Sequence, residues 1–232
     1  TSGEFWGTDP QDALAWLRDH DPVHWDDAGQ VWGISRYDDV KAVATNPQTF
    51  SNAGGIRPDT GPIAMMIDMD DPEHLRRRKL VNKGFTPQRV RDLEPRIVEV
   101  VDGLIDQVAE RGECDFVADI AAWLPLVMIG DALGVEPEDH PTLLQWSDDL
   151  MRGQGQTDDA LVTAMADAFG GYVGYISGVI EDRRGCPRDD LMSVLVHAEI
   201  DGDKLDDDAL IHESLLILIG GDETTRHVIS GG

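Results

Sequence analysis

One short segment of the sequence combines a continuous apolar run with residues that disfavour a buried helix. Residues 215–219 are all leucine or isoleucine, which covers every side of a helix and predicts a segment that runs through a core. They lead directly into Gly220, Gly221, Asp222, Glu223, Thr224, Thr225, Arg226 and His227. Each glycine costs about 1 kcal/mol relative to alanine in a helix interior, and acids and hydroxyls are expensive to bury. Such a conflict is expected at functional sites, where glycine lets a ligand approach the backbone and an acid beside a hydroxyl can deliver protons.

The string at residues 220–225 resembles the I-helix signature of the cytochrome P450 family, which reads Ala/Gly-Gly-x-Asp/Glu-Thr-Thr/Ser. The match has no gap. The same residues also fit a helix that ends in a Gly-Gly C-cap, followed by a new helix with Asp222 as its N-cap. A second and distant match is needed to decide between the two interpretations.

Residues 70–87 supply that second match. They resemble the C-helix of bacterial members of the same family, Asp-x-Pro-x-His-x-x-x-Arg followed by Phe-Thr-Pro. Pro72 suits the first turn of a helix, with Asp71 before it as cap, and His74 and Arg78 are then four residues apart on one face. A solvated basic helix is the ordinary alternative for such a charge run. The two strings together identify the chain as a member of the cytochrome P450 family.

The resemblance implies a fold that is mainly α with a small β element, and one domain of which residues 1–232 are the N-terminal portion. It implies heme b as the cofactor, and His74 and Arg78 would bind its propionates. The axial cysteine is expected beyond Gly232, because neither Cys114 nor Cys186 has the flanking residues of the family's cysteine loop. No metal ligand is therefore assigned within the chain, and the two cysteines are interpreted as reduced cytosolic thiols.

The resemblance also assigns roles on the I-helix. Thr224 would hold a water molecule by its hydroxyl, Glu223 would relay protons from solvent, and Gly220 and Gly221 would leave room for O2. The alternative for Glu223 is a surface carboxylate that pairs with Arg226 three residues later. Asp222 occupies the variable position of the signature, and His227 is interpreted as a helix-surface histidine.

The resemblance places the substrate site at an apolar stretch inside a loop rich in glycine and proline. By its position in the sequence, this stretch would line the substrate cavity with Ile63, Met65, Met66 and Ile67, although an ordinary core is a close alternative. The loop and the I-helix context are similar to actinobacterial members that oxidise the terminal methyl of the cholesterol side chain. A sterol such as cholesterol or cholest-4-en-3-one is therefore the expected substrate, and a fatty acid or a terpene would suit apolar residues too.

The family reaction needs O2 and electrons, which a ferredoxin and its NAD(P)H-dependent reductase would supply. An acidic ferredoxin would dock on the basic residues of the C-helix, Arg76, Arg77, Lys79 and Lys83, unless these pair with the protein's own carboxylates. A peroxide-driven heme enzyme is a second hypothesis, against which the Glu223–Thr224 pair argues. A heme-free helical binding module is a third, supported only by the missing cysteine loop.

Charge and hydropathy exclude other classes of protein. A formal net charge of −26 makes non-specific binding to nucleic acid improbable. No stretch approaches the roughly 18 consecutive apolar residues of a membrane span, and no secretory start is present. A cytoplasmic bacterial protein is therefore expected.

Periodicity and turn residues give a coarse map of the elements. It predicts a β-hairpin at residues 23–37 and long loops at 51–71 and 152–157. Helices are predicted at residues 9–20, 37–45, 87–111, 120–133, 138–151, 158–184, 189–198 and from 205 onward, in addition to the C-helix.

Overall fold

The structure, a computed structural model, describes residues 3–57, 61–154 and 158–231. It divides into two compact units, Thr1–Leu75 and Arg76–Gly232. The prediction that residues 1–232 belong to one domain is not tested by this division. Residues 58–60 of the predicted loop 51–71 and residues 155–157 of the predicted loop 152–157 lie outside the described residues.

The first unit contains short helices and a β-hairpin. Its elements are α1 (Gly3–Gly7), α2 (Gln11–His20), β1 (Val23–Asp26), β2 (Val31–Ile34) and α3 (Tyr37–Ala44). The two strands are antiparallel, with Trp25 opposite Trp32. The Asp26 carboxylate closes the turn by accepting hydrogen bonds from the backbone N–H groups of Ala28 and Gly29 at 3.1 and 3.0 Å. The predicted hairpin is confirmed, and its turn is built by the aspartate chemistry that the sequence indicated.

The loop after α3 is organised by a buried carboxylate. Asp68 ends a short 3-10 turn, Met66–Asp68, and is only 6% exposed. Its two oxygens accept the backbone N–H groups of Ile56 at 3.1 Å and Ile63 at 2.8 Å. Because an unpaired buried carboxylate would be costly, these bonds fix both arms of the loop around one side chain.

In the described part of the second unit the regular elements are helices, apart from an isolated β-bridge between Ile200 and Asp203. Its helices are α4 (Glu73–Val81, which begins in the first unit), α5 (Pro87–Asp92), α6 (Glu94–Ala109), α7 (Trp123–Leu133), α8 (His140–Gly153), α9 (Asp159–Gly185), α10 (Leu191–His197) and α11 (Asp207–Gly231). The predicted fold class, mainly α with a small β element, is confirmed. None of the described helices is both long and apolar enough to cross a membrane.

The core of this unit lies where α8, α9 and α11 pack together. Fully buried side chains from the three helices include Leu143, Ile176 and Leu218. Helix α9 keeps its 27 residues despite four internal glycines. One of them has a packing reason, because a Cβ on Gly171 would lie 2.8 Å from the Trp146 ring of α8. The glycine therefore allows the two helices to approach closely.

Two predicted helices differ from the structure by more than two residues at a boundary. The single helix predicted at residues 87–111 is wrong, since α5 ends at Asp92 and α6 starts at Glu94. Pro95 lies in the first turn of α6, where its missing N–H is harmless, whereas inside a continuous helix it would remove a hydrogen bond. The helix predicted from residue 120 starts at Trp123, after a π-helical turn at Val117–Ala121.

Candidate active site on helix α11

Helix α11 is continuous through the double glycine. It runs from Asp207 to Gly231, so the alternative of a Gly-Gly C-cap with a new helix at Asp222 is excluded. The two glycines have different surroundings. A Cβ on Gly220 would have no neighbour within 4 Å, whereas one on Gly221 would lie 3.0 Å from the Ile129 side chain of α7. Gly220 therefore faces open space, and Gly221 allows α7 and α11 to pack closely.

The exposed side of α11 presents a hydroxyl next to this open space. The Thr224 hydroxyl donates a hydrogen bond to the Gly220 carbonyl, one turn earlier, with an O···O distance of 2.5 Å. Both residues are exposed. A threonine that bonds back to the carbonyl four residues earlier often bends its helix slightly. The geometry thus couples Thr224 to the glycine whose side of the helix is empty.

The opposite side of the same helix turn buries the carboxylate of Asp222, the residue at the variable position of the signature. Asp222 is fully buried, and its Oδ2 accepts hydrogen bonds from the Ser147 hydroxyl at 2.9 Å and from Arg226 Nη2 at 2.8 Å. Burial raises the pKa of Asp222, because the charged form loses its hydration. The signal that could have identified it is the i,i+4 spacing of Asp222 and Arg226, which places both on one face of the helix.

Glu223 lies between these two sides. Its carboxylate is 3.1 Å from Arg226 Nη2 and 3.7 Å from His227 Nε2, and its side chain is 15% exposed. Partial burial raises the pKa of Glu223, against the attraction of Arg226. The pairing with Arg226 that the sequence offered as an alternative is therefore present. The pairing does not test the relay role, which stays a prediction.

The two residues predicted to bind propionates lie on α4. The His74 ring is partly buried, with Nδ1 3.3 Å from an Asp71 carboxylate oxygen. Arg78 is exposed and forms no ion pair with any residue that the structure describes. Since guanidinium groups bind carboxylates strongly, Arg78 is available for an acidic ligand.

The basic residues around Arg78 are less available than the sequence indicated. Arg77 is 12% exposed and pairs with Glu213 of α11 at 3.0 Å. Arg76 pairs with Asp203, and the Lys83 ammonium donates to the Glu199 carbonyl. Lys79 is exposed and has no ion pair within the described ranges. The predicted docking surface is therefore reduced to the exposed charges of α4.

The residues predicted to contact substrate lie in the first unit, on the loop that Asp68 organises. Met65 is 6% exposed, whereas Ile63 and Ile67 are 48% and 37% exposed, and Met66 is partly buried. Met65 therefore has the environment of a core residue. The exposed isoleucines are available for an apolar ligand, and their role stays a prediction.

The two cysteines are free thiols on the surface. Cys114 and Cys186 are both exposed. Within the described ranges, no cluster of three or more His, Cys, Asp or Glu side chains could hold a metal ion.

Comparison with known proteins shows the family. No protein-family profile matches the chain. A steroid C26-monooxygenase of Mycobacterium tuberculosis is 53% identical over 223 residues, which are 95% of this chain and 55% of that protein. The crystal structure of substrate-free CYP109E1 from Bacillus megaterium superposes with a TM-score of 0.85 at 32% identity, over 94% of this chain and 58% of that one. The same protein in complex with corticosterone gives 0.84 at 33% identity, over 94% and 56%.

The chain spans about half the length of the curated relatives it matches, at 55% of the steroid C26-monooxygenase. The agreement covers nearly the whole chain in both sequence and fold. The chain belongs to the cytochrome P450 family, and this membership implies heme b as its cofactor.

Proposed function

We propose that this protein is a heme-dependent monooxygenase, which inserts one oxygen atom from O2 into an unactivated C–H bond of an apolar substrate. The observation that carries the proposal is the exposed side of α11. There the Thr224 hydroxyl donates a hydrogen bond to the carbonyl of Gly220, whose own side of the helix is open. Glu223, which supplies the carboxyl group, directly precedes Thr224. An acid and a hydroxyl beside an open space are what proton delivery to a bound reactant needs.

The residues that this chain presents fit heme b. Gly220 leaves open a side of α11 that a Cβ would partly fill. Arg78 is an exposed cation without an ion pair in the described part of the chain, as a propionate donor needs to be. We assign propionate binding to His74 and Arg78. When bound, heme supplies the oxygen and electron chemistry, and the protein supplies position, protons and exclusion of water.

Glu223 and Thr224 would divide the proton delivery between them. Partial burial raises the pKa of Glu223, so its acid form persists to higher pH than that of an ordinary glutamate. This favours a carboxyl group that carries a proton taken up from solvent. The Thr224 hydroxyl, which can accept as well as donate, would hold a water molecule beside Gly220. Gly220 would leave the space that O2 occupies.

We further propose that the substrate is a sterol, hydroxylated at the end of its side chain, with cholesterol and cholest-4-en-3-one as candidates. The 53%-identical relative from Mycobacterium tuberculosis is a steroid C26-monooxygenase, and CYP109E1 has been crystallised with corticosterone. The exposed isoleucines of the first unit, Ile63 and Ile67, support an apolar ligand. A fatty acid or a terpene would satisfy the same apolar residues.

A ferredoxin and its NAD(P)H-dependent reductase are the proposed electron donors. Among the basic residues of α4, Lys79 is the exposed charge that neither an ion pair nor propionate binding accounts for. We expect Lys79→Glu to slow reduction by an acidic ferredoxin and to weaken its salt dependence, because electrostatic attraction raises the association rate at low salt. An unchanged rate and an unchanged salt dependence would contradict this docking site.

The experiment that tests the proposed function combines substrate binding with product analysis. We expect cholest-4-en-3-one or cholesterol to shift the spin state of the heme-loaded protein, and NADH with ferredoxin and reductase to yield a side-chain alcohol. A long-chain fatty acid and a terpene serve as competing substrates. If only these are hydroxylated, the sterol proposal is wrong and the monooxygenase proposal stands. If the complete protein, including the residues beyond Gly232, takes up no heme, the heme-free helical module is the correct interpretation.

A further inference from the structure

A single guanidinium on α11 contacts three carboxylates. Arg226 Nη2 lies 2.8 Å from Asp222 Oδ2 and 3.1 Å from Glu223 Oε1, and Nη1 lies 3.0 Å from Asp148 Oδ1 of α8. The Arg226 side chain is only 13% exposed. Because one positive charge faces three negative ones, the three acids compete for it. Each acid therefore weakens the ion pairs that Arg226 forms with the other two.

Asp222 fixes Arg226 in this position. The Asp222 side chain is 0% exposed and accepts a hydrogen bond from Ser147 of α8, and its buried Oδ1 has no hydrogen-bond partner among the described residues. Moving Arg226 away would leave this buried carboxylate without its counter-charge, which is strongly unfavourable. The guanidinium is therefore held on the side of α11 that faces α8.

Asp148 and Glu223 are the two partners of Arg226 that solvent reaches. Asp148 is 25% exposed and also lies 3.7 Å from the largely exposed Arg152 guanidinium, whereas Glu223 is 15% exposed. Asp148 thus has a second cation within reach. The share of the Arg226 contact that Asp148 and Glu223 each hold can therefore change while α11 stays folded. The contact between Arg226 and buried Asp222 cannot be lost so easily.

We propose that Arg226 is a positioning residue for Glu223, and that Asp148 of α8 sets how firmly Arg226 holds it. The inference rests on the proposed function only in giving Glu223 the role of proton carrier. The competition for Arg226 follows from the contacts alone. Asp148 lies outside both sequence strings that identify the family, so no motif would have pointed to it.

The charged groups that act on Glu223 determine the sign of each effect. They are Arg226, Asp222, Asp148 and, at 77% exposure, His227. Arg226 favours the carboxylate form of Glu223, and Asp222 and Asp148 favour the acid form. Removing Arg226 should therefore raise the pKa of Glu223, and removing the charge of Asp148 should lower it.

The test is an infrared titration of the Glu223 carboxyl in the heme-loaded protein, with its band assigned by its loss in Glu223→Gln. We expect Asp148→Asn to shift the Glu223 titration to lower pH and Arg226→Gln to shift it to higher pH. Asp149→Asn is the matched control, since it removes the same charge at the next residue of α8, whose carboxylate instead accepts from Gln145 at 2.8 Å. A merely structural role for Arg226 predicts no such opposite shifts.

Arg226→Gln leaves Asp222 buried without the cation at 2.8 Å, which destabilises the fold. If this variant does not fold, Asp148→Asn decides the outcome alone. If the Glu223 carboxyl titrates at the same pH in Asp148→Asn as in Asp149→Asn, the inference is overturned. If it shifts the titration to lower pH and the control does not, the inference holds.

The activity measurement separates this inference from the proposed function. The pH profile of coupled turnover should move in the same direction as the infrared titration in each variant. If Glu223→Gln leaves turnover unchanged, the relay role is wrong, and the infrared result still reports on the competition for Arg226. If Glu223→Gln slows turnover but the infrared shifts are absent, the relay stands and the positioning role of Arg226 is wrong.

Discussion

Helix α11 buries two carboxylates, Glu213 in its first half and Asp222 in its second, and the two are neutralised in different ways. Glu213 pairs at 3.0 Å with Arg77, which comes from α4. Asp222 pairs at 2.8 Å with Arg226, which lies one turn along the same helix and also contacts Glu223. The first pair joins two helices that are distant in sequence. The second connects a buried charge to Glu223, which lies between the buried and the open side of the helix. A buried carboxylate alone therefore does not indicate a functional site, and the further contacts of its partner do.

The largest effect that this comparison predicts is on the pair in the first half of α11. Arg77→Ala removes the cation that lies 3.0 Å from the buried Glu213 carboxylate, which should cost about 3–5 kcal/mol of unfolding free energy. Chemical denaturation measures this loss. Lys79→Ala on the same helix is the control, because Lys79 is exposed, and its effect should stay within about 0.5 kcal/mol. Equal losses of unfolding free energy in the two variants would mean that the ion pair between Arg77 and Glu213 does not stabilise the first half of α11.

The second prediction concerns the pH dependence of stability in the other half. Burial raises the pKa of Asp222 above its ordinary value of 3.8, so the folded protein keeps this proton to higher pH than the unfolded chain does. The stabilisation that results is complete below pH 3.8 and is lost as the pH rises through the folded-state pKa. Asp222→Asn does not titrate, and its unfolding free energy relative to wild type should therefore increase with pH in that window.

At low pH, Asp222→Asn should lose no more than one charge-assisted hydrogen bond, about 1.5–3 kcal/mol. Denaturation curves at a series of pH values provide the measurement. Asp149→Asn should show no comparable trend, because Arg226 does not contact Asp149 in the described structure. A relative stability of Asp222→Asn that fell with rising pH would contradict the assignment of Asp222 as a carboxyl destabilised by burial.

The smallest of the stability effects separates the two glycines. Gly220→Ala should stabilise α11 by about 1 kcal/mol, because alanine is the better helix former and nothing lies within 4 Å of the new Cβ. Gly221→Ala should gain less or lose stability, since its Cβ would press on Ile129 at 3.0 Å. Thermal or chemical denaturation of the two single variants gives the order. The reverse order would mean that Gly220 is not on the open side of the helix.

Most of the fold could be predicted from local patterns. The hairpin follows from alternating apolar residues around aspartate turn chemistry, and the helices follow from apolar periodicity and capping residues. Asp158, for example, caps α9 by accepting from the backbone N–H groups of Ala160 and Leu161. The break between α5 and α6 was missed, because the apolar stripe continues across it and only Pro95 indicates a new start.

The candidate site was predictable in part, for a physical reason. Thr224 and Gly220 belong to a contiguous string, and their contact lies within one helix turn. Asp148 and Ser147 reach the same site from α8, more than seventy residues away in sequence. Contacts between distant segments depend on how the helices pack, which periodicity does not reveal. The sequence therefore located the open side of α11 and missed the buried side.

The most direct test of the central claim, that the open side of α11 delivers protons, is the product formed per NADH consumed by Thr224→Ala. Thr225→Ala is the matched control, because Thr225 is also exposed and its hydroxyl makes no hydrogen bond within the described part of the chain. The account predicts that Thr224→Ala still binds substrate but diverts most reducing equivalents to hydrogen peroxide, and that Thr225→Ala stays close to wild type. A Thr224→Ala variant that remained fully coupled would contradict it.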